Sequence, residues 1–153
     1  MAVLDYADLP GSVGRRFGPG PWLTLDQATI DAFAEATGDR QWIHVDRARA
    51  AREIGGTIAH GYLTLALLPR LRDEILAFSG CARLVNYGLD RLRFPAPVPA
   101  GARVRLSVEV AEVTRARTGL LLALDATVEI EDGGRPALVV RSLTVLEPEA
   151  PAP

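Results

Sequence analysis

The chain contains no lysine: all 17 of its basic residues are arginine. Schiff-base catalysis and a P-loop lysine are therefore excluded. Cysteine is nearly as scarce. Cys81 stands alone, so no intrachain disulfide can form, and a reducing compartment, the cytoplasm, is the expected setting. Two histidines and one cysteine, with no carboxylate–histidine cluster at ligand spacing, give no reason to expect a metal. The longest apolar run, YLTLALL, is far short of the ~20 residues needed to cross a bilayer. The N-terminal MAVLDYADLPGSVGRR has early acids and no apolar core, unlike a signal peptide. A formal net charge of -2 offers no electrostatic basis for binding nucleic acid or an anionic membrane.

What is present is a core. Hydrophobic residues make up 48% of 153 residues, enough for one globular domain spanning the chain. Residues 1–20, rich in Gly and Pro, read as an arm with one short strand. Thr24-Leu25-Asp26-Gln27 matches a capping box, and Ile30, Phe33, Ala34 and Thr37 then repeat at the spacing of one buried helical face. Gly38 sits where a helix C-terminal glycine belongs. Asp46 can cap a second short helix that Gly55-Gly56 would end. Residues 61–78 form the most apolar long segment and predict a buried helix, kinked or broken at Pro69.

From Ala82 the period changes to two. Val104, Leu106, Val108 and Val110 alternate with polar residues, and Leu120 to Ile130 alternate again. Asp132-Gly133-Gly134 is a hairpin turn, and the phase slip between Leu89 and Leu92 predicts a bulge near Gly88. PALVVRSLTVL is apolar on both faces, as a central strand would be. FPAPVPAG reads as a rigid connector, and EPEAPAP, residues 147–153, as a frayed tail, disordered from about residue 148. The residues alone thus predict an α+β fold, with one antiparallel sheet curled around one apolar helix.

Two places can carry chemistry. Asp39 and His44 lie five residues apart just beyond a helix end. They can be turn chemistry, with Asp39 in an Asx turn and His44 packed on Trp42 or Ile43. They can also be a carboxylate and a neutral imidazole converging on one water. Spacing leaves both readings open. His60-Gly61 precedes the apolar helix, where free N–H groups and a glycine permit close approach of an oxyanion, or merely a tight helix entry. Asn86, inside the apolar VNYG, needs a partner if buried. Ser107 and Ser142 have no nucleophile elbow around them. Arg103 and Arg105 belong to the polar face of a strand and read as solvated.

FAEATGDRQWIHVDRARA resembles the hydratase-type motif of the MaoC-like dehydratases, the family containing the (R)-specific enoyl-CoA hydratases. Phe33, Gly38, Asp39, Ile43, His44 and Ala50 fall on that motif. Gln41-Trp42 departs from the Asn-Pro of many members and resembles the nodulation-protein-N-like branch. The similarity continues through IAHGYLTLALLP and NYGLDRLRFPAPVPAG, covering most of residues 20–147. It implies a hot-dog fold, a curved antiparallel sheet wrapped around a long central helix, paired as a homodimer. It further implies hydration of enoyl thioesters by Asp39 and His44, with the Gly61 N–H on the thioester oxygen and His60, Tyr62 and Asn86 lining the site. Coenzyme A or an acyl carrier protein would enter with the substrate, and no other cofactor is implied. A thioesterase or a non-catalytic acyl-thioester-binding subunit on the same fold remains an alternative.

Overall fold

The computed structural model describes residues 1–150. In chain order the elements are β1 (Ala2–Asp5), a 3-10 segment (Tyr6–Ser12), β2 (Arg16–Phe17), β3 (Leu23–Thr24) and α1 (Gln27–Thr37). There follow α2 (Trp42–Val45), α3 (Arg47–Ile54), α4 (Gly61–Ala66), α5 (Leu68–Asp73) and β4 (Leu76–Ser79). Four long strands complete the chain: β5 (Cys81–Arg93), β6 (Arg103–Arg115), β7 (Leu120–Ile130) and β8 (Leu138–Pro148).

The period-two segments pair antiparallel in the order β2-β6-β7-β8-β5, with β3 also on β6. Alternation decides which face is covered. Val104, Leu106, Val108 and Val110 are all buried, while Arg105 and Glu129 face each other on the opposite side and pair at 2.8 Å. Arg103 likewise pairs with Glu131, so these arginines are cross-strand partners rather than simply solvated. β8 is bonded on both edges, by β7 and β5, and is the central strand that its sequence predicted. The predicted bulge lies between Asn86 and Gly88, where the β5–β8 register shifts. Leu63 of α4 and Leu71 of α5 enter the same core as the sheet's buried row, and Ile30 of α1 joins them. This is the hot-dog arrangement.

Five local expectations need correction. Asp26, not Thr24, caps α1, accepting from the Thr29 N–H at 2.8 Å and from its hydroxyl at 2.7 Å. The hydroxyl bond, then the N–H bond, hold the Asp26 carboxyl below the usual carboxylate range. Thr37, predicted on the buried face, is exposed. The apolar helix is two short helices broken at Leu67, and Leu76–Ser79 leaves it for a strand parallel to β1. The break falls upstream of Pro69 because a proline ring crowds the preceding turn, and Pro69 itself sits in the first turn of α5, where no N–H is required. The N-terminal arm is more ordered than predicted, since β1 and β2 are separate strands on different sheets. The tail is also paired further than expected. Pro148 stands opposite Cys81 and the Glu149 N–H donates to the Gly80 carbonyl at 3.1 Å; residues 151–153 lie outside the described residues.

No helix is long and apolar enough to cross a membrane among the described residues. α1 is seated by Ile30, which is 0% exposed. Ile30→Ala is expected to cost about 2–5 kcal/mol, because the cavity left under a helix closes only in part. Urea denaturation checks this as a lower midpoint at unchanged slope.

Candidate active site

Asp39 and His44 owe their positions to the turn that ends α1. Gly38 adopts φ 77°, a left-handed conformation, and its N–H caps the helix on the Ala34 carbonyl. That reversal places Asp39 outside the helix and starts the single turn of α2 at Gln41, whose carbonyl accepts the His44 N–H at 2.9 Å. Asp46 and Gly55 (φ 84°) cap the two ends of α3 as predicted.

The segment after α3 locks this turn. The Ile58 N–H donates to the Ile43 carbonyl at 3.0 Å, and the Ile58 carbonyl lies 2.7 Å from His44 Nδ1. A carbonyl only accepts, so Nδ1 carries the proton and neutral His44 presents a bare Nε2. The next N–H, of Ala59, donates to the Val98 carbonyl at 2.8 Å, and the Ala100 N–H returns to Thr57 at 2.9 Å. The proline-rich connector thereby ties the histidine turn to the sheet.

His60 lies against both partners. Its Nε2 is 2.8 Å from the Asp39 carbonyl, and its ring stacks on that of His44 with centroids 3.7 Å apart and planes 26° from parallel. Phe33 makes a tilted contact with the same ring at 5.0 Å. His60 is 2% exposed and His44 6%, whereas Asp39 is half-buried. Hence His44 packs on His60. Trp42 is engaged elsewhere, with the Arg49 guanidinium 4.2 Å over its ring.

A carboxylate oxygen of Asp39 and one ring nitrogen of each histidine lie within 4.8 Å of one another. Two hydrogen bonds of about 2.8 Å through a single water span up to ~5.6 Å, so Asp39 and His44 can hold one water between them. The same three residues are also close enough to be weighed as metal ligands. Each histidine commits one nitrogen to a carbonyl and keeps the other, an arrangement that a bridging base and a metal ligand share.

Residues 8–129 match the family described as MaoC like domain. The chain belongs to the MaoC-like family. It is 46% identical over 141 residues to a 3-hydroxyacyl-thioester dehydratase Z of Mycobacterium tuberculosis (strain ATCC 25618 / H37Rv), covering 91% of this chain and 93% of that protein. It is 44% identical over 158 residues to Nodulation protein N of Rhizobium leguminosarum bv. viciae, covering 96% and 94%. Among solved structures, an unliganded R-hydratase from Pseudomonas aeruginosa superposes with a TM-score of 0.72 over 92% of this chain and 89% of that one. At 24% identity that likeness is one of fold.

Within this MaoC-like domain the other predicted residues separate. Gly61 opens α4, so its N–H has no acceptor inside its own helix. A Cβ there would meet the Phe94 ring at 3.2 Å. Tyr62 is 67% exposed and edges onto Phe94 at 6.2 Å between ring centroids. Asn86 is exposed on β5 and lines a cavity of about 560 Å³ between α4–α5 and the sheet. Neither Asp39 nor a histidine lines that cavity.

Gln27 is the residue that sequence reading misplaced. Its Nε2 donates to the His44 carbonyl at 2.8 Å and to Asp31 at 2.7 Å, and its Oε1 accepts from the Thr57 hydroxyl. It therefore clamps α1, the histidine turn and the 57–60 segment together. A glutamine three residues beyond a threonine reads as a cap, and no local pattern marks a contact seventeen residues away. Gln27→Leu is expected to cost about 1–3 kcal/mol through polar groups left unpaired. Displacing the His44 backbone should also lower turnover by up to about 10²-fold. Thermal melts beside steady-state rates, taken well below the melting temperature, separate the two effects.

Proposed function

We propose that the protein catalyses reversible hydration of trans-2-enoyl thioesters to (R)-3-hydroxyacyl thioesters. The observation that carries this reading is a ring nitrogen of the tautomer-fixed His44 within 4.8 Å of an Asp39 carboxylate oxygen, on a chain whose relative is a 3-hydroxyacyl-thioester dehydratase. The (R) outcome follows from the family resemblance. Water held by Asp39 and His44 gives up a proton to the pair as its oxygen bonds to C3. The C2–C3 π electrons move toward the thioester, and the enolate then takes a proton at C2. Base and acid are not assigned separately, since a coupled pair shares its protons. The Gly61 N–H would hold the enolate oxygen, a contribution of about 3–4 kcal/mol for one such donor.

The acyl chain has a place to go. Leu65, Leu68 and Pro69 on one side and Leu106, Val108 and Leu124 on the other enclose the 560 Å³ cavity. Leu65 lies one helical turn beyond Gly61, and an acyl chain would have to run along that turn to reach the cavity, which Gly61 itself does not line. Coenzyme A or acyl carrier protein supplies the thioester carrier, and no metal or redox cofactor takes part. The lone half-buried Cys81 suits a reducing cytoplasm.

Asp39→Asn and His44→Ala are each expected to lower hydration of crotonyl-CoA by about 10²–10⁴-fold, followed as loss of enoyl absorbance. Asparagine keeps the shape of aspartate but cannot take the proton. The double variant should be little worse than either single, because the two act on one water. Dialysis against a chelator should leave the rate unchanged. Release of free thiol in place of enoyl loss would identify a thioesterase and overturn the reading.

A homodimer belongs to the same proposal. β5 ends the sheet, and Leu84, Val85, Tyr87 and Leu89 on it are exposed. Such an apolar edge calls for cover, and a second copy supplies it most simply. Light scattering at micromolar concentration should report twice the 16.4 kDa chain mass, and a monomer would contradict this.

A further inference from the structure

We propose that His60, although it offers almost no surface to a substrate, is the positioning residue that sets Asp39 and His44 at working distance. The inference rests on the hydratase reading of those two residues. Three observations about His60 combine. Its Nε2–H holds the Asp39 carbonyl at 2.8 Å, fixing the backbone of the carboxylate. Its ring lies on the His44 ring at 3.7 Å, fixing the plane in which His44 Nε2 points. Its remaining nitrogen, Nδ1, is buried with no hydrogen-bond partner among the described residues.

The third observation separates positioning from packing. A buried polar atom without a partner is unfavourable, and an apolar side chain of similar size would remove that burden. A residue selected for core packing alone would not be histidine. The imidazole does what no apolar residue can do at this point. It presents a flat face to one catalytic ring and, from its edge, an N–H to the backbone of the other catalytic residue. The unpartnered Nδ1 is the cost of combining the two contacts in one side chain.

The two contacts can be separated by substitution. His60→Gln keeps an N–H near the Asp39 carbonyl but loses the stacking face. His60→Phe keeps the face and loses the donor, and His60→Ala loses both. With crotonyl-CoA, His60→Ala is expected to show kcat lower by about 10²-fold with KM changed less than about threefold. The Gln and Phe variants should each recover tenfold or more of that loss while melting within a few degrees of the parent. If the Ala variant fails to fold, the Gln and Phe variants stand alone, each expected below parental kcat at near-parental KM. Parental kcat in the Gln and Phe variants overturns the proposal. So does a loss confined to KM, or a loss in kcat that only tracks a lowered melting temperature.

A second measurement is independent of turnover. The chain has only two histidines, so a ¹⁵N-histidine spectrum contains two ring systems. The parent should show one Nδ1–H tautomer, His44, and one Nε2–H tautomer, His60. In His60→Gln the remaining His44 signals should broaden or average as the stacking face is lost. Tautomer averaging of both rings in the parent, or an unchanged His44 in His60→Gln, overturns the positioning role whether or not any thioester is hydrated. The expected tautomers in a protein that hydrates no enoyl thioester would count against the hydratase reading alone.

Discussion

The hydrogen bond from His44 Nδ1 to the Ile58 carbonyl is the constraint on which the site depends. It decides which nitrogen is bare, and it does so from the main chain, where orientation is fixed by neighbouring bonds rather than by a mobile side chain. Ile58 is itself held through its N–H on Ile43, a bridge to Pro99, and the adjacent Ala59–Val98 bond. The His44 turn is therefore referenced to the rigid connector between β5 and β6. Gln27 repeats the logic from the other side, gripping the His44 carbonyl while α1 is seated on the core through Ile30. A short loop acquires the precision of the sheet by being bonded to it at several points.

Much of this was legible where the cause is local. Gly38, Asp46 and Gly55 each satisfy a helix end through their own conformation or side chain, and each did so where the spacing placed it. The alternation in β6 and the slip at Gly88 likewise follow from residues a few positions apart. Most of the misses are non-local. Leu76–Ser79 looks helical by composition, and it becomes a strand because Ala2–Asp5, more than seventy residues earlier, arrives alongside it. Thr24 and Asp26 both can cap, and backbone geometry at the helix start chose Asp26. Asp39 and His44 could be named, but whether their side chains converge depends on Ile58, Gln27 and His60, none of which a short motif connects. His60 in particular reads as a site-lining loop residue, and its burial could not be seen from His-Gly alone.

The polar face of the sheet is laced with paired charges: Arg105 with Glu129, Arg103 with Glu131, and Arg141 bidentate on Asp125 at 2.7 and 2.8 Å. Hydrogen bonding from Arg141 holds the Asp125 carboxyl below its ordinary range. These pairs are too exposed to carry much of the fold's stability, which comes from the apolar row behind them. They matter more for register. An arginine opposite a carboxylate favours one alignment of β6 on β7, and a slip by one residue would send the valines of β6 to solvent.

The sheet has two unlike borders. On the β6 side, β2 and β3 are two residues each, interrupted by Gly18-Pro19-Gly20-Pro21, and prolines cannot donate to an added strand. On the other side, β5 is thirteen residues long and open, though its ladder is interrupted at Asn86–Gly88 and again near Arg91, whose φ is 54°. If a second copy docked through β5, the outermost borders of the joined sheet would be the short β2 and β3 strands, and the prolines between them disfavour addition of a further strand there.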